Sequence, residues 1–537
     1  MSVDDEVVFR LPPVRAALAD IENAEVVRRC FAKDASLWSG DAGEQAAIGN
    51  RLGWLDAAGG DPAWSAQLAG LVHDVRAAGL SHVVLAGMGG SSLAAEVCSL
   101  VFRGLVTGAT LTVLDSTHPD AVRAALGEGE LDATLVVVAS KSGSTEETAC
   151  FANRAAAVVP SPSHLVAITD AGSQLDEQAT AQAWRAVLRN PADIGGRFSA
   201  LSLFGMVPAA LLGIDVQGLW EHAAAMRRAC GPDVDVARNP ATRLAAFMAG
   251  FARAGRDKLT LLLPHAIAPL GDWIEQLVAE STGKHGHGIV PVVGEPAGPP
   301  EQYGADRAFV AYRLGDEEPE GARALAEAGQ PVLFVDLPDV AHIGAEFLRW
   351  ELATALAGVV LGVNPFDEPN VTESKRITAQ ILEELRAGGT LPTPEHPDVG
   401  DLLVTLGPDD YLSIQAYLPP HTDTMAAFDR VRASLRERGL TSTFGWGPRF
   451  LHSTGQLHKG GPNTVVVLQV VDSALWEDAA TLPIPGRPYD FGTLVRAQAV
   501  GDLRALVAHD RRVAQVGVDG TDAVERLVEA LLHRLVH

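Results

Sequence analysis

The chain has 537 residues, 47% of them hydrophobic and 20% charged, with a formal net charge of −25 at pH 7. At roughly 150 residues per domain the length predicts three to four domains or two large ones, and the apolar content excludes disorder over most of the chain. The acidic balance argues against a basic face for nucleic acid. Phe198 to Ile214, an apolar stretch without Asp, Glu, Lys or Arg, is shorter than the ~20 residues of a membrane helix and is interrupted by Pro208, so no membrane span is expected. The opening MSVDDEVVFR is acidic at once and lacks the order of a signal peptide, which predicts a cytoplasmic protein. Cys30, Cys98, Cys150 and Cys230 show no C-x-x-C spacing, so neither a disulfide framework nor a zinc site is implied.

In chain order, residues 1–62 read as an N-terminal helical appendage, with Val14, Leu18, Ile21 and Val26 at helical spacing. Residues 63–238 alternate helix with short buried strands: HVVLAGMGG, LTVLD, TLVVVASKSGS and HLVAITD. Over 239–388 the alternation resumes with KLTLLLP, the helical DWIEQLVAEST, GIVPVVG, AFVAYRL and PVLFVDL, then two helices. Residues 389–400, rich in Gly and Pro, read as a linker. YLSIQAYLP, TVVVLQVV and VAQVGVD then mark a smaller α/β domain over 401–537. The fold class is α/β: parallel sheets with helices on both faces, binding ligands at the carboxyl ends of the strands.

Two stretches carry chemistry. In VVLAGMGGSSLAAEV a strand runs into a glycine turn and then a helix, and Gly87, Gly89 and Gly90 let backbone N–H groups approach an anion. A dinucleotide site would need glycine where Ser92 stands, although Asp115 does end the next strand; a purely structural turn is the third reading. In VVVASKSGSTEET four hydroxyls, Ser140, Ser142, Ser144 and Thr145, crowd a helix start beside Lys141. The loop lacks the GK[ST] of a nucleoside-triphosphate site. The plain alternative is a capping box in which Glu146 or Glu147 reaches back.

At these residues the chain resembles the phosphosugar isomerases and, within them, the phosphoglucose isomerase family. SKSGSTEET is similar to the family's phosphate loop, so Ser140, Lys141, Ser142, Ser144, Thr145 and Glu147 carry over as substrate contacts, and GMGGSS brings Gly89, Gly90 and Ser91. NPADIGGRFSALSLFG resembles the run holding the active-site arginine, here Arg197; QLVAESTGK resembles the run whose glutamate is the catalytic base, here Glu280. NPFDEPNVTESK resembles the run ending in a ring-opening lysine, here Lys375, with Glu368 where many relatives have glutamine. The ring-opening histidine of the T-N-G-Q-H run has its nearest counterpart beyond the lysine, in HSTGQLHKGG, which offers His452 and His458. FGWGPRFLHSTGQLHKGG is similar to the isomerase portion of bacterial transaldolase/phosphoglucose isomerase fusions, which implies a freestanding version of that portion here.

The resemblance implies two sugar isomerase domains, 63–238 and 239–388, forming a cleft that the third domain covers. It implies an aldose–ketose isomerase acting on glucose 6-phosphate and fructose 6-phosphate as a homodimer, without cofactor or metal. Glu280 would move the proton between C1 and C2; Arg197 would stabilise the enediol oxygens; Lys375 with His452 or His458 would open the ring. His285 and His287 have no clustered third ligand and read as a loop rather than a metal site. Because the net charge repels an anionic sugar, the pocket must gather its own cations, from Lys141, Arg197, Lys375, Lys284 and Lys459. Rival readings are the same isomerisation of another C6-acidic sugar, for example a sulfonated one, which Glu368 and the displaced histidine keep open, and a non-catalytic sugar-phosphate sensor. A nicotinamide enzyme is a more distant rival.

Overall fold

The computed structural model describes residues 8–127, 131–392, 399–476 and 482–536. The first seven residues of the N-terminal segment and residues 393–398 of the expected linker lie outside the described residues. Three all-parallel sheets follow one another along the chain. The first joins β1 (His82–Gly87), β2 (Thr110–Leu114), β3 (Thr134–Ala139), β4 (Leu165–Asp170) and β5 (Ala186–Asn190) in the order β2-β1-β3-β4-β5. The second joins β6 (Lys258–Leu262), β7 (Val290–Val292), β8 (Arg307–Leu314) and β9 (Val332–Leu337) as β7-β6-β8-β9. The third joins β10 (Tyr411–Tyr417), β11 (Thr441–Trp446), β12 (Val465–Asp472) and β13 (Arg512–Val518) as β11-β10-β12-β13.

The strand residues explain this arrangement. Val83, Leu85, Leu135 and Val137 enter one hydrophobic core, while Val84, Ala86, Val136 and Val138 enter another on the opposite face. Since successive side chains alternate across a strand, both faces of the first sheet are covered, and its central strands read as unbroken apolar runs. The third sheet differs: Leu412, Ile414 and Leu468 bury one face in a core, but Ser413, Gln415 and Gln469 are buried on the other.

The segment read as an N-terminal appendage is built into the interior. Val14, Ala17 and Ile21 of helix Pro12–Asn23 are buried in the core that holds helices Pro240–Arg253 and Ile343–Leu361. Their backbones come so close that a Cβ on Gly250 would lie 2.6 Å from the Pro13 carbonyl oxygen. Helix Pro369–Arg386 leaves the second sheet and joins the first: Ile381 and Leu382 share a core with Phe151 and with Phe491 and Leu494 of helix Phe491–Ala508. That crossing carries Lys375 to the first sheet's carboxyl edge. All four cysteines are buried free thiols, and no described helix is long and apolar enough to cross a membrane.

Candidate active site

The glycine turn after β1 is shaped by contact with its neighbours. Gly89 has a positive φ of 55°, and a Cβ there would lie 2.7 Å from both Gln276 Nε2 and the His452 carbonyl oxygen. A Cβ on Gly90 would lie 2.1 Å from the Gly196 carbonyl oxygen. These two glycines let the first sheet's edge close on the Arg197 turn, on helix Leu270–Thr282 and on the loop after β11. Gly89, Gly90 and Ser91 themselves do not line the large cavity beside them.

That cavity, of about 900 Å³, opens over the hydroxyl loop after β3 and is lined by Ser142, Ser144, Thr145, Glu147, Lys375 and His452 among others. Thr145 is the N-cap of helix Glu146–Val158 but makes no side-chain capping bond. The two glutamates are also engaged elsewhere, which removes the capping-box reading. Glu146 pairs with Arg487, Nε to Oε1 at 2.8 Å, and accepts from the Tyr489 hydroxyl. Glu147 faces His452, with Nε2 to Oε1 at 2.9 Å. Burial would raise the Glu147 carboxyl, but His452 and, at longer range, Lys375 outweigh it and hold the group at about 2. Lys375 lines the cavity and has no hydrogen-bond or ion-pair partner among the described residues.

Two expected loop contacts are turned away. Ser140 is buried and accepts from the Gly143 N–H at 3.2 Å, shaping the turn. Lys141 Nζ donates to Asp170 Oδ2 and to the Ala192 carbonyl, each at 2.6 Å, tying the loop to the ends of β4 and β5. Lys284 and Lys459, expected as cavity cations, are likewise committed. Buried Lys284 meets Asp367 at 2.9 Å, and burial, reinforced by the Arg197 charge, lowers it to about 8; buried Lys459 meets Asp502 at 2.5 Å. An ammonium removed from water takes the nearest carboxylate.

Behind the cavity lies a second group. Arg197 is buried and its guanidinium is held on every side: Nε donates to Ser281 Oγ at 2.9 Å, and Nη2 donates to the carbonyls of Pro365 and Asp367 at 2.6 and 2.8 Å. Its Nη1 stands 3.4 Å from Glu280 Oε1 and 3.1 Å from Glu368 Oε2. Glu280 sits in the last turn of helix Leu270–Thr282, and Gln276, one turn earlier, donates to Glu280 Oε2 at 3.1 Å and to the His452 carbonyl at 2.6 Å. Burial raises the Glu280 carboxyl; Arg197 opposes the shift and Glu368 reinforces it. Glu280, Arg197 and Glu368 do not line the large cavity, and Gln276 is the bridge from them to His452. Glu368 lies on the far flank, in a smaller cleft beside Arg51 and Thr372, rather than at the hydroxyl loop.

The two histidines of HSTGQLHKGG separate. His452 faces the cavity; His458, on helix Gly455–Gly460, is buried between Ser413 at 3.3 Å and Gln415 at 3.1 Å, where burial lowers its imidazole to about 3. Lys284 and His287 pair across a tight turn in which His285 has a positive φ. Among the described residues no group of three or more His, Cys, Asp or Glu could hold a metal. Sequence reading missed Gln276, Gln498 and Arg487. Gln276 was within reach, since it precedes Glu280 by four residues on one helix face; the other two meet their partners across more than 300 residues.

Residues 68–288 match the family model described as phosphoglucose isomerase. The glucose-6-phosphate isomerase of Synechococcus sp. (strain JA-3-3Ab) is 32% identical over 349 residues, 55% of this chain and 65% of that protein. That of Synechococcus elongatus (strain ATCC 33912 / PCC 7942 / FACHB-805) is 30% identical over 355 residues, 56% of this chain and 66% of that protein. The chain therefore spans slightly under two thirds of these relatives. Among solved structures, a hypothetical protein of Thermus thermophilus matches with a TM-score of 0.56 and 26% identity, over 69% of this chain and 98% of that one. A glucose-6-phosphate isomerase from Chlamydia trachomatis matches with a TM-score of 0.52 and 20% identity, over 73% and 88%, and shares the fold. The family match ends at residue 288, before Lys375 and His452; over the matched residues the chain is similar to the phosphoglucose isomerase family.

Proposed function

We propose that the chain is an aldose–ketose isomerase that interconverts glucose 6-phosphate and fructose 6-phosphate. The observation that carries this reading is the placement of Glu280, a buried carboxylate of raised basicity held between a fixed guanidinium and Gln276, next to a cavity floored by a hydroxyl loop. In the mechanism, the sugar's C6 phosphate sits on Ser142, Ser144 and Thr145 at the N-terminal end of helix Glu146–Val158, where N–H groups and the helix dipole favour an anion. His452 and Lys375 open the ring. A carboxylate oxygen accepts only, so His452 donates through Nε2 to Glu147 and keeps Nδ1 as its basic nitrogen. Glu280 then removes the C2 proton of the open-chain aldose to leave a cis-enediolate, a proton passes from O2 to O1, and the same carboxyl returns its proton to C1. Arg197 stabilises the charge that develops on the enediol oxygens without being able to surrender a proton.

The test is solvent-deuterium incorporation at C2 of glucose 6-phosphate, followed by NMR with the protein and with Glu280→Gln. Exchange and interconversion that vanish in the variant support the reading; absence of both in the unaltered protein overturns it. A second reading, isomerisation of a sugar bearing a sulfonate at C6, is favoured by one observation: Lys141 is bound to Asp170 instead of the cavity, which leaves the hydroxyl loop suited to a single negative charge. The same exchange experiment on a 6-sulfonated hexose separates the two. Family resemblance also supports a homodimer, which sedimentation equilibrium checks.

A further inference from the structure

Behind the His452–Glu147 pair lie two buried side chains, Thr117 and Gln498, that the proposed mechanism does not use. The Thr117 hydroxyl, in the loop after β2, donates to Gln498 Oε1 at 2.6 Å. Gln498 Nε2 donates to Glu147 Oε1 at 2.6 Å, the same oxygen that His452 Nε2 meets at 2.9 Å. Thr117, Gln498 and Glu147 are only 0%, 2% and 6% exposed, so water does not compete for these bonds. Each link orients the next. With the Thr117 hydroxyl as donor, Gln498 Oε1 must be the acceptor, which turns its NH₂ toward Glu147. With one Glu147 oxygen fixed by Gln498, the carboxylate cannot rotate away from the imidazole. Gln498 reaches this place because helix Phe491–Ala508 docks on the helix that carries Glu147, Phe491 stacking on Phe151 with ring centroids 6.1 Å apart.

We propose that Gln498 is a positioning residue for ring opening: it holds Glu147 so that His452 keeps its proton on Nε2 and presents Nδ1 to the cyclic sugar. This rests on the isomerase reading, and it places the third domain within the chemistry of the first. Ring opening and proton transfer at C1 and C2 then depend on different residues, so they separate experimentally. Fructose 6-phosphate must be opened, whereas 5-deoxyfructose 6-phosphate has no hydroxyl placed to close a five- or six-membered ring and needs only Glu280.

The experiment compares the full chain with Gln498→Leu and with the milder Thr117→Val, which leaves the amide in place but frees it to turn over. For Gln498→Leu, kcat on fructose 6-phosphate falls about ten- to a hundredfold, the scale of one hydrogen bond to a charged group. C1 proton exchange in 5-deoxyfructose 6-phosphate stays within about twofold. Thr117→Val gives the same pattern in smaller size, and covers the case in which the leucine variant does not fold. An equal loss on both substrates, or no loss on either, overturns the proposal. A readout independent of turnover is the two-bond ¹⁵N–¹H pattern of His452, which shows an Nε2–H tautomer in the unaltered chain and a mixture in Gln498→Leu; an unchanged pattern also overturns it. If the unaltered chain turns over neither sugar, the isomerase reading fails while the histidine spectrum still decides whether Gln498 sets the tautomer.

Discussion

The first and second sheets share a parallel construction and differ at their carboxyl edges. β1 and β3 run into MGGSS and SKSGST, whereas β6 and β8 run into LPHAIAP and GDEEPE. The second edge also has a cavity, of about 620 Å³, lined by Leu261, Pro269, Asp272, Glu295 and Glu320 among others. It mixes these carboxylates with Arg103 and His265 and lacks the cluster of hydroxyls that the first edge sets at a helix terminus. Strand order creates a crevice; only the residues set into it make a site. The second sheet contributes instead through helix Leu270–Thr282, which delivers Glu280 and Gln276 toward the first.

This contrast breaks most sharply at Glu280. Glu280→Gln keeps the size of the side chain and removes the base, and isomerisation is expected to fall about 10²- to 10⁴-fold, read as initial rate by coupled assay. Next is the hydroxyl loop: Ser144→Ala combined with Thr145→Val removes two contacts of about 1 kcal/mol each, so KM rises about tenfold or more with kcat less affected. A smaller effect tests the electrostatics. As the proposed base, Glu280 would act only when ionised, and Glu368 raises its pKa; removing that negative charge in Glu368→Gln stabilises the ionised form, so the acid limb of kcat/KM is expected to move to lower pH. A limb that moves upward or stays still refutes the coupling. The smallest effect is at the other edge, where Glu320→Gln leaves kcat/KM within about twofold; a large loss there would show that the second cavity participates.

The strands most plainly legible in the sequence, such as β1 and β3, are buried on both faces and apolar nearly throughout. AVLRN and TSTFGW, by contrast, became β5 and β11 although no strand was read there. Both lie at sheet edges, where one side of the ladder is unpaired and partly exposed polar residues are tolerated. The hydroxyl loop was legible because dense Gly, Ser and Thr have few uses at a helix start. The lysines were not: Lys141, Lys284 and Lys459 all found buried or half-buried carboxylates distant in sequence, at Asp170, Asp367 and Asp502.

The sequence by itself determined the alternation of helix and strand, the glycine and hydroxyl turns, and the residue types able to move a proton, because each follows from local periodicity and local chemistry. The tertiary structure alone decided which of two histidines six residues apart faces Glu147, and that Arg197 binds Glu368 while Gln498 holds Glu147. Those pairings join residues hundreds of positions apart, and their partners are chosen by burial, where each polar group must satisfy itself with whatever the packing of three sheets brings within reach.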